Sequence, residues 1–230
     1  NSFSVDIFRS QEDIATSEIH TYDVCSCDLD LDSLNDLVVT NNETPSDSDE
    51  RSELLLYINN STTAATSFAT PVRLGDRPTI KVSCGDLNGD GFPDIVATEG
   101  ANQSDEVFVF QNNGSGGFSS TPDITLVLPR DADGNLRNPE TVEVADIDGD
   151  GFMELVVVNR SNEEIDIFRN TTSSGSSTSF SSDPFQVTIS GIATANGAAR
   201  GIALGDLNGD NTPEIVVTES SDNRIFILNN

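Results

Sequence analysis

Acidic or amide side chains stand at positions 1, 3, 5 and 9 of a nine-residue stretch that occurs four times in this chain. The copies are Asp28, Asp30, Asp32 and Asp36; Asp86, Asn88, Asp90 and Asp94; Asp146, Asp148, Asp150 and Glu154; and Asp206, Asn208, Asp210 and Glu214. Their first positions, 28, 86, 146 and 206, are spaced by 58, 60 and 60 residues. A fixed period of about sixty residues marks a repeat architecture, in which each unit buries its apolar face only against its neighbours. The 230 residues read as one domain, 1–230, with units at about 20–74, 79–128, 140–189 and 199–230 plus 3–9.

Short oxygen-bearing side chains at alternate positions of a tight turn converge on one point. Calcium, a hard cation with flexible coordination, takes about six to eight oxygens at such a place. Position 7 would add a backbone carbonyl, from Leu34, Phe92, Phe152 and Thr212. Position 6 calls for a left-handed backbone, which Gly91 and Gly151 adopt freely and Asn211 tolerates. The first copy is the poorest fit, with Leu31 at position 4 and Ser33 at position 6. An EF-hand is excluded: it needs a bidentate Glu at position 12, where this chain has Val39, Ala97, Val157 and Val217. The flanks, Asp-Ile-Val-Ala-Thr and Glu-Leu-Val-Val-Val, are strand-like, so each loop sits inside a β-hairpin.

The pattern Asp-x-Asp/Asn-x-Asp-Gly-x-x-Asp followed by an apolar strand resembles the FG-GAP/VCBS repeat family. Those are calcium-loop β-propeller units of integrin α-subunit heads and many secreted bacterial proteins. The resemblance covers nearly the whole chain and implies a propeller with up to four Ca2+ ions. It implies no single activity, because the family includes adhesion heads, lectins and domains attached to lyases.

Composition agrees with that expectation. Asp and Glu number 39 against 11 Lys and Arg, a net charge of −28, and four calcium ions would bring it to about −20. Such a charge repels nucleic acid and anionic lipid. No apolar run approaches the roughly 18 residues of a membrane span. The chain opens without Met or a leader peptide, which reads as a mature or excised segment of a secreted or cell-surface protein, extracellular or periplasmic.

Strand patterns recur in fours. They are 22–27, 37–40, 54–58 and 67–74; 80–84, 94–98, 107–111 and 124–128; 141–145, 155–159, 165–169 and 185–189; then only 201–204, 215–218 and 225–228. An additional alternating segment, 3–9, precedes the first unit. If 3–9 pairs beside the last strand, four four-stranded antiparallel blades close into a ring with no free edge. The expectation is therefore an all-β, four-bladed propeller closed by its N-terminal strand, the alternative being part of a larger ring. No segment carries helical periodicity.

Catalysis finds little support. His20 is the only histidine, with no nucleophile motif around it, and Lys81, the only lysine, lies within a strand. The acidic clusters are accounted for by metal, so the chain reads as a binding module and not an enzyme. Eight of the eleven basic residues fall near loops on the side opposite the acidic hairpins: Arg51, Arg73, Arg77, Arg130, Arg137, Arg160, Arg200 and Arg224. They suggest either a face for an anionic glycan or a partner's carboxylates, or pairing with local acids. With no Trp and two Tyr for sugar stacking, an extracellular protein partner competes with a glycan. Asn42, Asn102 and Asn170 begin Asn-x-Ser/Thr sequons. Of the three cysteines, Cys84 faces Cys25 and Cys27 across neighbouring blades; a bridge to either and three packed thiols are both open, and one thiol stays free in any case.

Overall fold

The computed structural model describes residues 21–41, 54–63, 65–100, 104–131, 133–160, 164–173, 177–189, 199–220 and 223–230. Fifteen strands and no helix are found among them, so no helix is long and apolar enough to cross a membrane. The first sheet comprises β1 (Thr21–Cys27), β2 (Asp36–Asn41), β3 (Leu54–Tyr57) and β4 (Val72–Leu74). The second has β5 (Thr79–Gly85), β6 (Asp94–Glu99), β7 (Glu106–Phe110) and β8 (Ile124–Val127). The third has β9 (Pro139–Ala145), β10 (Glu154–Asn159), β11 (Glu164–Phe168) and β12 (Phe185–Thr188); the fourth has β13 (Ala199–Gly205), β14 (Glu214–Glu219) and β15 (Arg224–Leu228). Strands are ordered within each sheet as in the chain, and every pairing is antiparallel.

Burial explains why the second strand of each unit reads as an unbroken apolar run. β6 and β10 are buried at every position because a sheet lies against each of their faces. The fourth strands, β8 and β12, are exposed at alternate residues or more. Each inner hairpin shifts register at the end away from its acidic loop: between Thr21 and Val24, Thr79 and Lys81, Val158 and Asn159, and Ala199 and Gly201. Strand boundaries expected from the sequence hold to one or two residues, except that the fourth strand of the first unit is confined to Val72–Leu74.

Three apolar clusters form three seams. Leu54 and Leu56 meet Val82 and Phe108 between the first two sheets. Val96 and Val109 meet Val142 and Val157 at the second seam, and Val156 and Ile165 meet Ile215 and Val217 at the third. The array is β-propeller-like. Among the described residues no cluster joins the fourth sheet to the first, and no closed ring is present. The segment 3–9, expected to close it, lies outside the described residues, as do His20, Arg51, Asn42 and Asn102.

A covalent tie reinforces the first seam. Cys27 on β1 is bonded to Cys84 on β5, with Cα atoms 6.8 Å apart, while Cys25 keeps a free thiol. Cys25 Sγ is 3.0 Å from Cys84 Sγ. Burial first, then the negative charges of Asp23 and Glu143, pushes the Cys25 thiol up to about 12. The unreduced chain, denatured and titrated with a thiol reagent, should yield one thiol, and Cys25→Ser should reduce that to none. Three titratable thiols would exclude the bridge.

Candidate metal-binding loops

All four loops share one backbone conformation. Positions 4 and 6 have positive φ in each: Leu31 at 60° and Ser33 at 73°, Gly89 at 75° and Gly91 at 90°, Gly149 at 75° and Gly151 at 92°, Gly209 at 85° and Asn211 at 73°. The first loop, the weakest match in sequence, thus folds like the others with two side chains in the left-handed region. In the second loop position 4 is also sterically tight. A Cβ on Gly89 would sit 3.2 Å from the Phe152 ring, so Phe152 packs over the preceding loop and not merely beneath its own.

Backbone amides aim the carboxylates. At position 1, Asp86 accepts from Gly89 N at 2.7 Å and Gly91 N at 2.8 Å, and Asp146 and Asp206 repeat this with 149 and 151 and with 209 and 211. At position 5, Asp32, Asp90, Asp150 and Asp210 each accept the N–H of position 7: Leu34, Phe92, Phe152 and Thr212. At position 3, Asn88 and Asn208 accept from the position-5 N–H and donate Nδ2 back to that residue's carboxylate. One oxygen from each of Asp28, Asp30 and Asp32 lies within 4.8 Å of the other two, and the same holds for Asp146, Asp148 and Glu154. Oxygens at opposite sides of a calcium ion stand about 5 Å apart, given bonds of about 2.3–2.6 Å. The donor set and its spacing fit that ion.

Position 9 does more than donate an oxygen. Asp36, Asp94, Glu154 and Glu214 are all buried. One oxygen of each accepts the N–H of position 2: Leu29 at 3.0 Å, Leu87 at 3.1 Å, Ile147 at 2.8 Å and Leu207 at 2.7 Å. In the first three units the other oxygen accepts the N–H of an asparagine just after the third strand: Asn59 and Asn112 at 2.8 Å, Asn170 at 3.2 Å. Burial raises the carboxyl groups of Asp36 and Glu154, and lifts Asp94 from 3.8 to about 6 despite its two amide donors, with Asp90 and Asp86 adding repulsion.

Sequence reasoning missed these asparagines. Asn112 Nδ2 donates to Leu29 O, Asn170 Nδ2 to Leu87 O and Asn230 Nδ2 to Ile147 O, at 2.8, 2.8 and 2.7 Å, so each latches its sheet to the loop of the sheet before. The separation is 83 residues every time, because these asparagines recur at 58 and 60 residues, the spacing of the loops themselves, and that shared period is the sequence signal for them. It also disposes of Asn170 as a glycosylation acceptor, since its amide is buried and bonded. Another missed residue is Arg169, whose guanidinium lies 2.9 Å from Asp148 and 3.8 Å from Asp150 in the third loop.

The arginines of the opposite end pair with acids of the chain itself. Arg77 joins Glu99 at 2.8 Å and Glu106. Arg130 lies 3.6 Å from Asp105, and Arg200 and Arg160 lie 3.0 and 3.9 Å from Glu140. Arg137 is 4% exposed and bonds Glu164 and the Pro129 carbonyl, so its side chain is a strut inside the protein and not part of an open face. Arg73 and Arg224 have partners as well.

A family profile described as an FG-GAP-like repeat matches residues 28–97, 86–157 and 146–217. Each match opens on position 1 of one loop and ends at position 12 of the next, so all four loops fall within the matched region. No curated protein matches the chain.

Two measurements follow from this geometry. Leu31→Gly should stabilise the protein by about 0.5–1 kcal/mol in urea unfolding, because a left-handed Leu costs about 1–2 kcal/mol and glycine returns part of that as chain entropy; a destabilised variant would mean that Leu31 is not strained. The second concerns pH. A carboxyl raised in the folded state contributes stability fully present below its unfolded value of 3.8 and lost as pH rises through about 6. The chelated protein should therefore have a lower urea midpoint at about pH 7 than at about pH 4.5, and excess calcium, which favours the ionised carboxylate, should reverse the order.

Proposed function

Because the chain belongs to the FG-GAP-like repeat family, we propose that it is an extracellular, calcium-stabilised binding module and not an enzyme, with its partner, a protein or glycan, engaged by loops of the face opposite the acidic hairpins. FG-GAP repeats are found in extracellular and adhesion-type modules, and the observation that carries the calcium reading is the convergence of carboxylate oxygens within 4.8 Å in the first and third loops, whose backbone conformation the second and fourth share. The ions would be held by Asp28, Asp30, Asp32 and Asp36; Asp86, Asn88, Asp90 and Asp94; Asp146, Asp148, Asp150 and Glu154; and Asp206, Asn208, Asp210 and Glu214, with the carbonyls of Leu34, Phe92, Phe152 and Thr212. Bound calcium supplies positive charge where several acids crowd together. The finer architecture is a ring of four blades completed by residues 3–9 beside β15.

A protein partner is favoured over an acidic glycan. The arginines that an anionic sugar would need are engaged with Glu99, Asp105, Glu140 and Glu164. No aromatic platform compensates, since Trp is absent and Tyr occurs twice.

Extracellular modules hold calcium at about 10⁻⁴ to 10⁻³ M. At ten times the dissociation constant, binding contributes about 1.4 kcal/mol per site, or about 5–6 kcal/mol for four. That is comparable with a whole domain's stability of about 5–15 kcal/mol. A chelator should accordingly lower the melting temperature well beyond scan-to-scan error, and calcium should restore it where magnesium does not. A melt indifferent to chelator would overturn the calcium reading.

A further inference from the structure

In the first and third loops positions 1, 3, 5 and 9 are all acids, whereas the second and fourth have asparagine at position 3. That asparagine faces the position-5 acid with a donor. Asn88 Nδ2 donates to the Asp90 carboxylate at 3.0 Å, and Asn208 Nδ2 to that of Asp210 at 2.8 Å. An ionised carboxylate at position 3 can only accept. In the third loop a donor arrives from outside instead. Arg169 Nη2 lies 2.9 Å from Asp148 Oδ2 and 3.8 Å from Asp150 Oδ2, so it spans the same two positions.

The backbone on either side fixes where this arginine stands. It follows β11 and precedes Asn170, whose N–H donates to Glu154 and whose side-chain amide donates to Leu87 O and Met153 O. The Arg169 carbonyl accepts Ser181 N–H at 2.8 Å. Only the side chain is left to choose a direction, and it reaches the loop. The residues just before Asn59, Asn112 and Asn230 are Ile58, Gln111 and Asn229, none of them charged. Ile58 packs on the first apolar cluster, and Gln111 donates to Thr178 Oγ1.

Charge separates the two all-acid loops. Four carboxylates and one guanidinium give the third loop −3, the value that three carboxylates give the second and the fourth. The first loop, with Ile58 in the arginine's place, keeps −4.

We propose that Arg169 sets the calcium affinity of the third loop by acting as a tethered cation on its ligands. This rests on the calcium reading above and deepens it. One oxygen from each of Asp146, Asp148 and Glu154 converges there, and Asp148 serves the guanidinium as well. A fixed positive charge therefore opposes the entering ion, and part of the pairing to Asp148 is given up when the ion binds. Without metal the same charge relieves the crowding of acids. Arg169 is 64% exposed, so water and salt screen it. A unit charge and a divalent one about 6–10 Å apart in water repel by an amount equal to about threefold to tenfold in affinity.

Calcium titrations of the full chain followed by amide NMR test this. Gly151 N–H, a donor to Asp146, reports on the third loop, and Ser33 N–H, a donor to Asp28, reports on the first. Arg169→Gln should lower the calcium midpoint read at Gly151 by about threefold to tenfold at low ionic strength, and by less in high salt. The Ser33 midpoint should stay where it is. Arg169→Lys, which keeps the charge, should remain within about twofold of the unmodified chain at both amides. In chelator, Arg169→Gln should melt below the unmodified chain, yet gain more in melting temperature when calcium is added; loss of a purely structural ion pair would lower the melt without tightening calcium. A Gly151 midpoint that is unchanged or raised in Arg169→Gln, or a Lys variant that behaves as the Gln variant does, would overturn the assignment while leaving the calcium reading intact. An unmodified chain in which neither amide responds to calcium would overturn both.

Discussion

A buried carboxylate at the ninth position of each loop holds this protein in register. It is the first residue of a strand, so its place is set by the hairpin; its oxygens accept amides from the loop's second residue and, in the first three units, from the turn after the third strand. Loop, hairpin and third strand are thereby tied at one point. An unpaired buried carboxylate is expensive, and two amide donors offset only part of that cost. The raised carboxyl of Asp94, at about 6, is the residue of that imbalance. A cation beside it would remove the remainder, which is why the calcium proposed for these loops and the stability of the fold are a single question.

The same hydrogen-bonding group that completes one blade also reaches for another. Asn112 and Asn170 donate their backbone N–H to the carboxylate of their own loop and their side-chain amide to the loop before. Each seam therefore combines apolar burial with a polar latch whose geometry depends on the acidic loop. Leu207, which occupies the latched position in the fourth loop, is 60% exposed, whereas Leu29 and Leu87 are fully buried. Among the described residues no asparagine latches the fourth loop as Asn112, Asn170 and Asn230 latch the first three.

At the opposite end of the strands, charge is spent on cohesion. Glu140 sits between Arg160 and Arg200, and Glu99 and Glu106 share Arg77. In each pair the guanidinium is exposed while Glu99 and Glu140 are mostly covered, and a solvent-exposed partner keeps such a pair's contribution small, about 0–1 kcal/mol. In a chain of net charge −28, five of the eleven basic residues, Arg77, Arg130, Arg137, Arg160 and Arg200, are held by acids in this way.

The sequence by itself determined the repeat, the strands and the loops. Alternation of apolar residues and oxygen atoms at every second position are short-range signals, and four copies at one spacing made each copy a check on the others. Even the first loop, with Leu31 and Ser33 in place of glycine, takes the shared conformation because the flanking hairpin and the amide donors impose it. What only the tertiary structure decided lies between repeats. The choice of Cys27 over Cys25 for the bridge to Cys84, the partners of the arginines and the burial of Arg137 and Asn170 all depend on how two sheets meet. Contacts between residues about sixty to eighty apart are set by sheet twist and packing distance, and neither is written in the spacing of residues along one strand.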